Sequence, residues 1–514
     1  LKTFRRIFSK VFSLIFNRLT IVLAAIAIQL TYFIMLILRL FAYAHWVNVS
    51  FRALTVLMVI CIVWQDRNPA YKIGWIVFMA MFPEVGAVLF IVFGGRLPSR
   101  GIRKRLARQE ALHKNDFLQV EPLDMLGENR ERSTARYVAE HGAYPLWDHT
   151  ASKYYPVGEK LFDDMMEDLK KAEHFIFIEY FIISKGTLWD EIVQILKEKA
   201  SQGVDIRIIY DDVGSMHKLP RHFSRQLQEA GIQVMDFNTM KPFVSLVYNN
   251  RDHRKIMVID GYVGYSGGVN ISDEYANRIV RFGHWKDSGT RIEGEAVWNY
   301  TVMFLNMWHA FRGTDEDYRA YGPHTWHPGE FTNDGEVQPF SDSPLDDENV
   351  GENVYFEMLD QAQEYVYIFT PYLILDNEME TALKLAAKRG VDVRLVIPGI
   401  PDKPLVYAMS LSYVGPLIDA GVKVYKYTPG FIHAKSFLCD GKLGAVGTIN
   451  MDYRSFFLHF ENSTILYHTQ SLDTLYRDCI DTFRRSALVT ESGLRKHRIG
   501  AMIGFFMRIF TPLF

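Results

Sequence analysis

The sequence predicts an α/β protein built from two copies of one unit and preceded by N-terminal transmembrane helices. Three observations carry this reading. Apolar strands followed by helical stretches recur at a nearly constant offset, one polar motif occurs once in each copy, and the first hundred residues hold three apolar runs.

The apolar runs come first along the chain. Leu19 to Leu38, bounded by Arg18 and Arg39, has no charged residue and is long enough to cross a bilayer as a helix. Ala53 to Trp64 is short for a span. Ile73 to Gly94 contains Pro83, Glu84 and Gly86 and reads as a kinked span. The turn Asp66-Arg67-Asn68-Pro69 between the last two predicts a helical hairpin. Residues 1–108 are therefore expected to be an anchor with two or three transmembrane helices. Lys2, Arg5, Arg6, Lys10 and Arg18 precede the first run, and Arg96, Arg100, Arg103, Lys104, Arg105 and Arg108 follow the last. Basic flanks favour the cytoplasmic side, and with both flanks there the crossings must be even, so either one of the three runs is re-entrant or one flank yields; the rest of the chain is expected on the cytoplasmic side of a bacterial cell membrane crossed more than once.

A polar linker is expected over 109–149, a first repeat over 150–335 and a second over 336–490. Ala172 to Ile178 is echoed by Ala362 to Ile368, Gly203 to Arg207 by Gly390 to Arg394, and Gly231 to Val234 by Gly421 to Val424, at offsets of 190, 187 and 190 residues. Helical stretches such as Leu188 to Ala200 and Met379 to Lys388 lie between these strands. The pattern predicts β-α-β units and a largely parallel sheet covered by helices. The C-terminal segment 491–514 combines Arg495, Lys496, His497 and Arg498 with Ile499, Ile503, Phe505 and Phe506, which suits a basic amphipathic helix on anionic lipid.

The motif is His253, Lys255, Asp260, Gly267, Gly268 and Asn270 in one copy and His433, Lys435, Asp440, Gly447, Thr448 and Asn450 in the other, 180 residues apart. A single His-x-Lys is most often a solvated surface pair; its duplication with the same spacing points to one phosphate-handling site. His and Lys are two apart at a strand entrance, so they share a face. Neutral imidazole is a competent nucleophile on phosphorus, and a second imidazole can protonate the leaving alcohol and deprotonate the incoming one. The two ammoniums and the amides of Asn270 and Asn450 can hold phosphoryl oxygens, so this chemistry requires no metal or other cofactor.

Each imidazole needs an acceptor on its other nitrogen, for which the downstream carboxylates Asp287 and Glu461 are the candidates. Asp260 and Asp440 are grouped with the catalytic set as supports of the site, because Asp before Gly is a common turn. Gly267, Gly268 and Gly447 are explained by close backbone packing near a ligand. Trp285, Trp298 and Trp308 read as core or interface residues. A net charge of −2 with 49% hydrophobic residues argues against a nucleic-acid partner, and Cys61, Cys439 and Cys479 form neither a disulfide framework nor a zinc knuckle.

The doubled motif resembles the phospholipase D superfamily. Within it, the N-terminal hairpin with Asn68-Pro69-Ala70-Tyr71 and Trp75, Trp285-Lys286-Asp287, Thr370-Pro371-Tyr372 and the ending Phe510-Thr511-Pro512-Leu513 resemble bacterial cardiolipin synthases. The resemblance implies two phospholipase D-like repeats forming one active site at their interface. It implies transfer of a phosphatidyl group between two phosphatidylglycerol molecules, giving cardiolipin and glycerol. His253 would carry the phosphatidyl intermediate, His433 would act as acid and base, and Lys255, Lys435, Asn270 and Asn450 would bind phosphate. The partners implied are phosphatidylglycerol and anionic membrane lipid, and the oligomeric state is not readable from the residues. A phospholipase D-type hydrolase or headgroup exchanger, and a non-catalytic lipid-binding scaffold, are the alternative readings.

Overall fold

The computed structural model describes residues 27–32, 34–36, 45–65, 67–91, 100–114, 130–220, 222–239, 250–490, 492 and 508. The chain divides into two compact units, one of 1–101 with 238–250 and 509–514, the other of 102–237 with 251–508.

In the first unit the second and third apolar runs form packed helices. Helix His45–Trp64 is followed by Pro69–Met81, which starts as its sequence dictates: Pro69 occupies the first turn and the Asn68 side chain accepts from the Ala70 amide at 2.9 Å. The kink expected in the third run is a break at Phe82, after which Pro83 opens the helix Pro83–Leu89. Gly86 lets the two segments meet, since a β-carbon there would lie 2.8 Å from Met79 Cα. Ile62, Met79, Ala87 and Phe90 form the small core, with the Trp75 ring 5.2 Å from Phe90. Among the described residues no helix is long and apolar enough to cross a membrane. Of the run Leu19 to Leu38, residues 27–32 and 34–36 are helical and the remainder lies outside the described residues, as does most of 491–514.

The second unit holds both repeats. The first sheet has the spatial order Thr150–Tyr155, Gly289–Gly294, Val263–Gly267, Lys255–Ile259, Phe175–Tyr180, Asp205–Asp211, Gln233–Phe237. The second repeats that order with Glu336–Asp342, His459–Tyr467, Leu443–Gly447, Ser436–Cys439, Tyr365–Phe369, Asp392–Pro398 and Lys423–Tyr427, and adds Ser486–Leu488 at its edge. The expectation of largely parallel sheets is corrected. Along the main order of each sheet the echoed strands pair parallel, whereas the motif strands and those beyond them pair antiparallel. The reason is local. Asp260 and Gly261 have φ of +50° and +77°, and Asp440 and Gly441 +50° and +67°, the two left-handed positions of a tight hairpin turn that sends the chain straight back.

Helix Val297–Arg312 is buried over nearly its whole length, its polar side chains Asn299, Thr301, Asn306 and His309 included. It packs between the repeats, with Asn299 Nδ2 donating to the Pro339 carbonyl at 2.8 Å and the Tyr300 hydroxyl bonded to Thr464. The described part of 109–149, expected as a linker, is partly helical. Glu131–Glu140 buries Thr134, Ala135 and Val138 at helical spacing, and His113, at the end of helix Arg100–His113, stacks on Tyr318 at 3.5 Å.

Candidate active site

Short strands present the two motif histidines, and each pairs with the other repeat. Arg251–Asp252 runs parallel to the start of His459–Tyr467, and the His253 amide continues the ladder to the Phe460 carbonyl at 2.9 Å. Gly430–Ile432 runs parallel to His284–Lys286, and the His433 amide donates to the Lys286 carbonyl at 2.7 Å. The chain therefore delivers Glu461 to His253 and Asp287 to His433, each acid coming from the opposite repeat. His253 Nδ1 lies 2.8 Å and 3.0 Å from the Glu461 oxygens, and His433 Nδ1 lies 2.7 Å from Asp287 Oδ2. A carboxylate at Nδ1 fixes the tautomer with its proton there and leaves the lone pair on Nε2.

The site is nearly closed: His253 and His433 are 7% and 6% exposed, and Lys255, Lys435, Asp287 and Glu461 are buried. Burial holds His253 well below the ordinary imidazole range, reinforced by the charges of Lys255 and Lys435. Burial and Lys435 bring His433 down to about 4, against the pull of Asp287. Lys255 falls to about 8 and Lys435 to about 7, again chiefly by desolvation. Burial opposes ionisation of Asp287, but His433 and Lys435 outweigh it and hold the carboxyl below its usual range. Each imidazole feels the ammonium of the other repeat, which is how the fold brings both pairs into one electrostatic site.

The glycines are explained by contact. A β-carbon on Gly268 would lie 2.1 Å from Asp287 Oδ1, one on Gly267 2.4 Å from Gly289 Cα, and one on Gly447 2.4 Å from the Asn462 carbonyl. Thr448 stands where Gly268 stands in the other repeat, and its hydroxyl bonds Glu461. Asp260 and Asp440, grouped with the catalytic set, instead bind backbone. Asp260 accepts from the amides of Glu173, His174 and Phe175 at 2.8 Å, and Asp440 from Gln363, Glu364 and Tyr365 at 2.7 to 2.9 Å. They tie the hairpin turn to the start of the neighbouring strand and are structural. Asn270 bridges the Ile182 amide at 3.1 Å and the Tyr275 hydroxyl at 2.7 Å, while Asn450 Nδ2 donates to Ser455 at 3.1 Å.

Trp285 is buried as expected, but it also lies 5.5 Å from the His433 ring, with Tyr275 at 5.3 Å and Phe431 at 5.8 Å. Trp298 and Trp308 belong to the core. Sequence reasoning missed His459, whose ring is 5.4 Å from His253 and whose Nδ1 is 3.6 Å from Glu461. The signal was present, because His459 and Glu461 are two apart on one strand and share a face. His253, His459 and Glu461 could each offer one atom to a metal ion, with those atoms within 4.8 Å of one another. Behind the motif, Arg254 pairs with Glu179 at 2.5 Å and Asp252 at 3.1 Å, and Arg251 with Asp211 at 2.8 Å.

Residues 165–290 and 355–485 match the family described as "Cardiolipin synthase, PLD-like domain", and residues 53–95 match "Phospholipase_D-nuclease N-terminal". An uncharacterized protein of Streptococcus mutans is 43% identical over 86% of this chain and 96% of its own length. A cardiolipin synthase of Geobacillus kaustophilus is 36% identical over 83% of this chain and 85% of its own. Among solved structures, a phosphatidylserine synthase of Haemophilus influenzae aligns with a TM-score of 0.55 at 14% identity, over 74% of this chain and 100% of its own, a likeness of fold.

Proposed function

This chain belongs to the cardiolipin synthase family with PLD-like domains, and from that membership we propose that it moves a phosphatidyl group from one phosphatidylglycerol to the terminal hydroxyl of another, through a phosphohistidine. The observation that supports this most directly is the crossed pair of His–carboxylate contacts, Glu461 on His253 and Asp287 on His433. Both rings then have Nε2 as their reactive atom.

In the first step the His253 Nε2 lone pair forms a bond to phosphorus while the bond from phosphorus to the glycerol oxygen breaks. His433 gives its Nε2 proton to that oxygen, and glycerol leaves. His433 has this proton because an arriving phosphodiester anion, placed between Lys255 and Lys435, raises the proton affinity of a ring that is otherwise neutral. In the second step His433 takes the proton of the terminal hydroxyl of a second phosphatidylglycerol, whose oxygen displaces His253 from phosphorus, giving cardiolipin. Lys255, Lys435, Asn270 and Asn450 hold the non-bridging oxygens, whose charge the transition state must stabilise. His253 is proposed as the nucleophile, its Nε2 lone pair kept free by burial and by the charges of Lys255 and Lys435.

The protein acts at the bacterial cell membrane, with the N-terminal helices as a multi-pass anchor and the catalytic unit cytoplasmic. The family match over 53–95 supports this, as do Trp46, Val56, Leu57, Ile60, Val63 and Trp64, all exposed on one helix and suited to lipid. Purified full-length protein supplied with phosphatidylglycerol alone tests the reading: cardiolipin and free glycerol are expected in equal amounts. Phosphatidic acid without cardiolipin would instead make the protein a hydrolase.

A further inference from the structure

Two loops beside the catalytic strands carry a surface that the chemistry does not use. Residues 277–283 lead into strand His284–Lys286 and so to Asp287. Residues 399–405 lie against the strand that leads to His433, with the amides of Gly399 and Ile400 both donating to the Gly430 carbonyl at 3.1 Å. The loops come from different repeats and lie side by side, since a β-carbon on Gly283 would be 3.2 Å from Ile400 Cδ1.

Their apolar side chains are uncovered: Val280 is 80% exposed, Ile279 48% and Ile400 42%, with Leu405, in the first turn of the helix Pro404–Asp419 that follows the second loop, 44% exposed. The other large apolar side chains exposed in 102–508 among the described residues, Leu112, Trp326, Leu385, Tyr476 and Leu488, sit on five separate elements. Cations stand among the loop tips. The side chains of Arg281 and Lys403 are more than half exposed, Arg281 lies 3.8 Å from Glu274, and Lys403 Nζ lies 3.2 Å from the Tyr372 hydroxyl, which in turn bonds Asp402 at 2.6 Å. Lys403 is near enough to the chemistry that its charge acts on His253. Aliphatic tips interleaved with cations suit one partner chemistry above others, an anionic bilayer, whose acyl region takes the aliphatics and whose phosphates meet the cations.

We propose that residues 277–283 and 399–405 together form a rim that inserts into an anionic lipid surface and seats the active-site opening on the bilayer. The rim joins both repeats, so insertion would place both imidazoles against the membrane together, and donor and acceptor lipids would enter without crossing water. The inference rests on the lipid-transferase reading above, and its test separates the two.

Full-length Val280→Asp/Ile400→Asp and, separately, Arg281→Glu would be assayed on phosphatidylglycerol vesicles and on monomeric short-chain phosphatidylglycerol. A loss of about tenfold or more is expected on vesicles and a loss of less than about threefold on the monomeric lipid. In a Cys61→Ser background, a fluorophore on Val280→Cys should be quenched by phosphatidylglycerol vesicles brominated in the acyl chain. Equal losses on both substrates, no loss on vesicles, or an unquenched probe would overturn the proposal. So would a variant that changes the oligomeric state without a vesicle-specific loss, because the patch would then bind a second copy of the chain. Wild-type protein that makes no cardiolipin from either substrate would defeat the functional reading, while the quenching would still report on the rim.

Discussion

The two motif copies share strand order, turn geometry and spacing, yet they build unlike surroundings for their histidines. In both copies the lysine Nζ bonds the carbonyl of its own histidine, and Lys255, 2.6 Å from the His253 carbonyl, also faces the Phe181 ring. In the second, Lys435 Nζ sits against the His433 ring, 2.7 Å from Nδ1 and 3.0 Å from Nε2. The acids differ as well. Glu461 is braced by Thr448 and neighboured by His459, whereas Asp287 is seated by the Ser288 amide at 2.9 Å in space that Gly268 leaves free. A duplicated motif therefore does not bring duplicated surroundings, and the division of roles proposed above between nucleophile and proton carrier is set against that difference in packing.

The largest expected effect tests that division. His253→Ala should lower cardiolipin formation by at least about a thousandfold and abolish any trapped phosphohistidine, whereas His433→Ala should cost roughly a hundred- to ten-thousandfold. Acid-quenched turnover with labelled phosphatidylglycerol, followed by peptide mapping, reads both; an adduct on residue 433 would exchange the roles. Next come the acids. Glu461→Gln and Asp287→Asn should each slow turnover about a hundredfold, but in different places. Glu461→Gln should reduce the amount of adduct formed, and Asp287→Asn should also lengthen its life, because His433 acts in both steps. If Glu461→Gln acted through His433 instead, the crossed geometry would have no functional meaning.

The pH dependence should be smaller and set by the lysines. They hold phosphate only when charged, and burial brings Lys435 to about 7 and Lys255 to about 8. The kcat/KM should accordingly fall as pH rises through 7 to 8, while the free His433 ring stays neutral down to about 4. Lys435→Arg, whose guanidinium keeps its charge, should lower the maximum but move the alkaline limb upward in a kcat/KM profile. The smallest effects fall on the turn carboxylates. Asp260→Asn should cost about 2 kcal/mol of stability in denaturant unfolding, by weakening three charge-assisted bonds at a buried strand start. Asp440→Asn should cost less, because two of its three amides are at exposed positions. Neither should shift the pH profile.

How much of this was legible from the residues follows from what each signal encodes. Spacing within a strand fixes which side chains share a face, so His and Lys of each motif were found together, and the echoed strands gave two repeats with the same order. Spacing is silent about which strand of a distant segment will pair with Arg251–Asp252 or Gly430–Ile432. Asp287 and Glu461 were therefore recognisable as acceptors while their exchange between repeats was not. The parallel-sheet expectation came from generalising the β-α-β echoes to the motif strands, although Asp-Gly already signalled a hairpin there. Asp260 and Asp440 carried a second meaning in their position: a carboxylate beside a turn meets the amides at the start of the adjacent strand before it meets any substrate. His459 went unnoticed because it lies outside the duplicated pattern.

The ladder that joins each histidine to the opposite repeat has a dynamic consequence. A hinge motion that swung the halves apart would have to break the bond from the His253 amide to Phe460 and that from the His433 amide to Lys286, together with both contacts to the acids. These bonds oppose separation of the two halves, so access to the proposed site falls to the side chains and loops at its edge, elements that open at lower cost than a pair of joined sheets.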